Sequence, residues 1–111
     1  MSYIYVASPY TAKSASVRRK RLKASALYAA KAMRAGVPVY SPLAHGEMLA
    51  KFLEIGTDYA AWKMHCEAMI NGCSQLHVLC IPGWKKSVGV NAEIEYAKSI
   101  GKEIVYVEDL K

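Results

Sequence analysis

Seven residues, Gln75 to Ile81 (QLHVLCI), narrow the fold more than any other stretch of the chain. A strand with one wet face alternates apolar and polar side chains. A nearly continuous apolar run instead suits a strand covered on both faces, as in a parallel sheet between layers of helices. Parallel neighbours need long crossover connections, which are usually helical. The rest of the sequence should then alternate strand with helix, and it does.

Tyr3–Ala7 (YIYVA) is β-branched and aromatic, and Ser8-Pro9 bounds it. A helix is expected from about Ser14 to Ala35. Leu22, Ala26, Ala29 and Met33 share one face, and Gly36 then Pro38 end it. Val37–Pro42 (VPVYSP) reads as a short strand. Leu43–Gly56 (LAHGEMLAKFLEIG) has weak periodicity and reads as a loop with a helical turn. Asp58 can cap the next helix, with Tyr59, Trp62, Cys66, Met69 and Cys73 as its apolar stripe. A further helix is expected over Val90–Ile100, stopped by Gly101, before a last strand, Glu103–Val107 (EIVYV). The expectation is one α/β domain over residues 1–111. It has three layers, α/β/α, around a parallel sheet of four to five strands, flavodoxin- or Rossmann-like, with right-handed crossovers.

Composition limits the function classes. Hydrophobic residues at 53% and charged residues at 22% suit a globular domain and exclude a disordered one. The longest apolar runs, YIYVA and LHVLCI, are too short to span a bilayer. The N-terminus has no charged start and apolar core of a signal peptide, so a cytoplasmic setting without membrane association is expected. Cys66, Cys73 and Cys80 form no Cys-x-x-Cys pair, and they read as buried small hydrophobes in a reducing compartment. His65 and His77 have no partner motif, so no metal site and no cofactor is expected. The net charge of +6 suits either nucleic acid or a small phosphorylated ligand. It concentrates in Lys13–Lys23 and in Trp84–Ser87. The first cluster has no interleaved aromatics for base stacking, and its bland reading is a solvated helix face.

In open parallel sheets, ligands bind beyond the carboxyl ends of the strands. Those ends carry SPYT (Ser8–Thr11), SPLAHG (Ser41–Gly46) and PGWKKSVG (Pro82–Gly89). Ser87 and Gly89 lie where the last of these turns into a helix. Free N–H groups and the positive end of the dipole there can seat an anion, aided by Lys85 and Lys86. Glu93 is expected in the first turn of that helix, at the edge of its buried face, half desolvated. It can serve as nucleophile or base, or simply complement the dipole. Glu95 faces water. Ser8, Tyr10 and Thr11 can bind a ligand or cap a turn; His45 can bind a ligand or carry protons. Trp84 is the better candidate than Trp62 to stack on a base, because Trp62 lies on the core stripe.

Three segments taken in order, YIYVASPYT, VYSPLAHG and SVGVNAEIEYAKSIGK, resemble the nucleoside 2-deoxyribosyltransferase-like superfamily. The likeness is to its small phage and bacterial branch and covers nearly the whole chain. Its most specific piece is Ser87, Gly89 and Glu93, followed by Tyr96-Ala97. The resemblance implies N-glycosidic bond cleavage of a nucleotide or nucleoside, by a nucleoside 5'-monophosphate N-glycosidase or a deoxyribosyltransferase. Glu93 would be the nucleophile, with Asp58 as a second acid. Ser87 and Gly89 would hold the 5'-phosphate. Ser8, Pro9, Tyr10, His45, Trp84 and Asn91 would border the substrate. It also implies a homo-oligomer in a bacterial or phage-infected cell. Three positions depart from the family pattern: Cys66 and Ser74 stand where acids are common, and Glu95 where glycine is. A module that binds or sequesters nucleotides without turnover is therefore the alternative, with a nucleic-acid-binding protein behind it.

Overall fold

A computed structural model of the chain describes residues 2–53 and 59–108. The elements are β1 (Ile4–Ala7), α1 (Ala15–Arg34), β2 (Val39–Tyr40), α2 (Pro42–Leu53), α3 (Tyr59–Gly72), β3 (Gln75–Leu79), α4 (Val88–Ser99) and β4 (Glu103–Val107). A short 3₁₀ turn, Trp84–Lys86, lies between β3 and α4. The four strands form one parallel sheet in the order β2-β1-β3-β4. With helices on both faces this is the three-layer α/β/α arrangement expected, and four strands lie at the low end of the range.

The layers follow from side-chain alternation. Tyr5 and Ala7 of β1 and Leu76 and Val78 of β3 share one buried cluster with Cys66 and Ile70 of α3 and Val90, Ile94 and Ala97 of α4. Each such aliphatic side chain contributes roughly 1.5–3 kcal/mol when fully buried. The opposite face takes α1, whose Ser25 and Ala29 are buried. The expected α1 face is rotated: Met33 is 66% exposed, and Ser25 takes the centre. Ser25 can do so because its hydroxyl is matched to that of Ser41 at 2.7 Å.

Two boundaries differ from expectation. The segment read as a loop is a helix, α2, running through Pro42–Leu53. Ser41 accepts from the Ala44 N–H at 3.2 Å, and Pro42 opens the helix, where a missing N–H costs nothing. Its apolar pattern is weak because Met48 and Phe52 are exposed rather than packed. The second boundary is that of α4, which begins at Val88, because Ser87 caps it by accepting from the Val90 N–H at 3.2 Å.

A polar chain clamps α1 to the sheet. The Gln75 amide nitrogen donates to Glu103 at 2.9 Å, which leaves Gln75 Oε1 to accept from His77 Nε2 at 2.9 Å. Neutral His77 must then accept at Nδ1 from the Tyr28 hydroxyl at 2.7 Å. Burial holds the His77 pKa below its usual value, partly opposed by Glu103. The unfolded chain therefore takes up the proton first. The contribution of His77 to stability is intact above about pH 6.5 and is lost as pH falls towards its lowered folded pKa. Chemical denaturation at about pH 7.5 and about pH 5.5 should show a smaller acid loss in His77→Gln than in wild type. An equal loss in both would contradict the assignment.

Candidate active site

Strand order reverses at the β1–β3 pair: the chain leaves β1 towards β2 and leaves β3 towards β4. The loops after β1 and β3 part there and open a cavity of about 620 Å³. Its walls come from the β1 loop, α1, α2, α3 and the start of α4.

Glu93 lies at the cavity but is 5% exposed. It sits in the second turn of α4, and no acid occupies the first. The reading of Glu93 as a first-turn complement to the dipole therefore falls, since that effect fades within one turn. The carboxylate is also more buried than the helix face alone implied, because Tyr5 reaches it from the sheet. The Tyr5 hydroxyl donates to Glu93 Oε2, and Tyr5 is wholly buried. The Cys66 thiol of α3 faces the same carboxylate as a second donor. Burial raises the Glu93 pKa to about 7, and the two hydrogen bonds hold it from rising further. Burial followed by the Glu93 charge pushes the Cys66 thiol to about 12 and Tyr5 well above its usual value. Tyr40, on β2, is also raised to about 12, mainly by burial, with Cys66, Tyr3 and Glu93 adding to it. Near neutral pH, Glu93 is therefore the one group of this cluster that changes charge.

The start of α4 opens into the same cavity through Ser87, Val88 and Gly89. The Ser87 N–H is used on Trp84 O at 3.3 Å, and the Val90 N–H on the Ser87 hydroxyl. Val88 and Gly89 are the first-turn positions whose N–H groups have no acceptor within the helix. The Ser87 hydroxyl keeps its own proton to donate. Ser8, on the β1 loop, is 8% exposed, and its Oγ has no hydrogen-bond partner among the described residues. A buried hydroxyl left unpaired is disfavoured unless a ligand or water satisfies it. Ser8 lines the cavity.

Of the residues expected from sequence, the cavity lining brings together Ser8, Tyr10, Thr11, Lys86, Ser87, Gly89 and Glu93, whereas Lys85 lies over the Trp84 ring and outside the lining. Pro9 is fully buried and is not part of the lining. His45 packs its ring on Tyr40 at 5.3 Å, also outside the lining. Asn91 holds the loop from behind, donating to Lys85 O at 2.9 Å and Ser87 O at 2.8 Å. Trp84 packs on Tyr106 at 5.7 Å and is absent from the lining; Trp62 packs against the core as expected and is also the tryptophan that lines the cavity. Gly46 permits this: a Cβ there would lie 3.2 Å from the Trp62 ring. Asp58 lies outside the described residues. Tyr5, Cys66, Arg21 and Glu47 were not anticipated. Tyr5 had a usable signal, since it shares its strand face with Ala7, whereas Arg21 belonged to a cluster read as a solvated helix face and Glu47 fell in the segment read as a loop. Among the described residues no group of three or more His, Cys, Asp or Glu side chains could hold a metal ion.

Two outcomes follow from the Glu93 setting. Tyr5→Phe removes a donor to the carboxylate, so the Glu93 pKa should rise above about 7, as read by carboxyl NMR; a fall or no change would contradict the hydrogen bond. Because the folded pKa exceeds the unfolded one, ionisation of Glu93 costs stability progressively between about pH 4.3 and pH 7. Glu93→Gln should therefore be more stable than wild type at about pH 8, by up to about 3 kcal/mol, and no more stable near pH 4. Equal unfolding curves at both pH values would count against a desolvated carboxylate.

No curated protein matches the chain closely enough to serve as a relative. A family profile described as a domain of unknown function, DUF1937, matches residues 2–109. That is nearly the full length, and the chain belongs to this family.

Proposed function

We propose that the protein cleaves the N-glycosidic bond of a nucleoside 5'-monophosphate or nucleoside, as an N-glycosidase or a deoxyribosyltransferase, and that it is related to the nucleoside 2-deoxyribosyltransferase-like superfamily. The observation that carries this reading is the pairing of a buried carboxylate and a helix N-terminus in one cavity. Val88 and Glu93 are five residues apart on α4, a rise of roughly 8 Å. The Glu93 side chain leans back towards the N-terminus. A pentose 5-phosphate is about the right size for that gap, with phosphate on the Val88 and Gly89 N–H groups and C1' near Glu93. Trp62, on the α3 wall, offers an apolar ring for the base.

In the first step the Glu93 carboxylate attacks C1'. The C1'–N bond breaks, its electron pair leaves with the base, and a glycosyl ester remains. A poorly solvated carboxylate suits this step because positive charge develops at the sugar. Glu47, the other carboxylate lining the cavity among the described residues, is our candidate to protonate the departing base. Water, or a second base, then attacks C1', gives up its proton to the Glu47 carboxylate, and releases Glu93 as carboxylate. The hydrolase is favoured over the transferase by the basic surroundings of the anion seat.

Binding without turnover remains the second reading, because among the described residues Tyr5 and Cys66, neither of them a carboxylate, are the groups set against Glu93. The nucleic-acid reading loses ground: Arg18 donates to Ala12 O and Lys13 O, and Arg21 to Thr11 O, so two of the clustered cations serve loops. A homo-oligomer belongs to the same proposal, supported by Phe52, 76% exposed on α2. Among the described residues no helix is long and apolar enough to cross a membrane.

Chromatographic assay of free base over a panel of nucleosides and 5'-monophosphates tests the reading. Wild type should release base, and Glu93→Ala should lose on the order of 10³-fold or more. The rate at low substrate should rise with pH through about 7, as Glu93 ionises. Base release that survives in Glu93→Ala would overturn the assignment. Ligand binding without base release, with or without an acceptor base, would favour the second reading.

A further inference from the structure

Arg21 occupies an unusual place for a helical arginine. Its Nη1 donates to Thr11 O at 2.9 Å and, more distantly, to Tyr10 O at 3.5 Å, both on the β1 loop. Its Nη2 donates to Pro82 O at 3.2 Å, on the β3 loop. One guanidinium on α1 thus joins the two loops that part at the switch in strand order. Gly83 makes room for it: φ is +94°, and a Cβ would fall 2.3 Å from Nη2. A side chain there would be strained in its backbone and would also displace the arginine.

Those carbonyls engage at most three of the five guanidinium N–H groups. Arg21 lines the cavity with the remaining capacity, beside Thr11, Lys86, Ser87 and Gly89. The Ser8 hydroxyl, buried and without a partner among the described residues, lines the same cavity. A permanent fork of donors, an open helix N-terminus and an orphaned hydroxyl together fit a tetrahedral oxyanion better than a neutral hydroxymethyl group. Glu93 and Glu47 line the cavity too, so its charge is mixed rather than uniformly basic.

We propose that Arg21 is the specificity-determining residue of the cavity, selecting a phosphorylated sugar over its unphosphorylated counterpart while tying the β1 and β3 loops together. This rests on the sugar-binding part of the function proposed above and extends it to the discriminating residue. Arg21 touches the charged end of the ligand and takes no part in bond cleavage.

Binding assays separate this from catalysis. Ribose 5-phosphate and ribose are titrated into the protein, following the amide signals of Ser8, Val88 and Gly89. Wild type should bind ribose 5-phosphate more tightly than ribose. Arg21→Gln should weaken ribose 5-phosphate by about tenfold to a hundredfold and leave ribose unchanged, with Arg21→Lys between the two. An unchanged preference in Arg21→Gln would overturn the proposal, as would equal weakening of both probes, which would make Arg21 a loop tie alone. If Arg21→Gln does not fold, the guanidinium N–H signals of wild type decide: they should shift with ribose 5-phosphate and not with ribose, and unmoved signals overturn the proposal. Arg21-dependent discrimination without any base release would sink the glycosidase and keep this inference. Base release from nucleosides as fast as from their 5'-monophosphates, with no preference between the two probes, would do the reverse.

Discussion

The hydrogen bond from the Tyr5 hydroxyl to Glu93 is the interaction on which the site depends. A carboxylate this buried is disfavoured in its charged form unless donors reach it. Tyr5 comes from the middle of the sheet and Cys66 from α3, so three elements, β1, α3 and α4 itself, converge on one carboxyl group. The result is a group balanced near neutrality, neither a free surface acid nor a permanently protonated core residue. The parallel sheet makes this possible. It sets β1 beside β3 in register, Tyr5 opposite Leu76, so that the Tyr5 side chain reaches Glu93 on α4, the helix that follows β3.

The second organising constraint is the placement of charge. The lysine- and arginine-rich start of α1 sits at the end of a helix dipole that disfavours cations. Arg18 and Arg21 resolve this by donating to carbonyls of the preceding loop. The conflict visible in the sequence is therefore settled within the chain for these two residues. In the same arrangement Arg21 ends up at the cavity, where the capped start of α4 also points. The start of α4, Arg21 on α1 and the Ser8 hydroxyl all belong to the connections that follow β1 and β3, the two strands flanking the change in strand order.

Much of the fold was legible because it rests on local patterns. The apolar run of β3 announced a doubly covered strand, and the alternation of elements announced the parallel sheet. Ser87 and Gly89 marked a helix start, although the start itself came two residues early because capping by Ser87 is a matter of one hydroxyl. The helix α2 was obscured for a different reason: its apolar side chains, Met48 and Phe52, do not face a core, so periodicity carried little information. Within the site, Glu93 could be picked out by its position on a helix face, but its partner could not. Tyr5 and Glu93 are 88 residues apart in sequence, and only the sheet register and the packing of α4 bring them together. Trp62 packs against the core as expected but also reaches the cavity, because the Gly46 gap that admits its ring arises from tertiary contact, not from any local pattern.

The central claim is that Glu93 acts as a nucleophile on a sugar carbon. Mass spectrometry of the proteolysed protein after incubation with 2-fluoro-substituted nucleosides and 5'-monophosphates tests it most directly, since such sugars slow breakdown of an ester intermediate. If Glu93 is the nucleophile, the peptide carrying it gains a fluoropentosyl or phosphofluoropentosyl mass increment, formed with stoichiometric release of base. An increment on any other residue, or base release with no increment on Glu93, would contradict it.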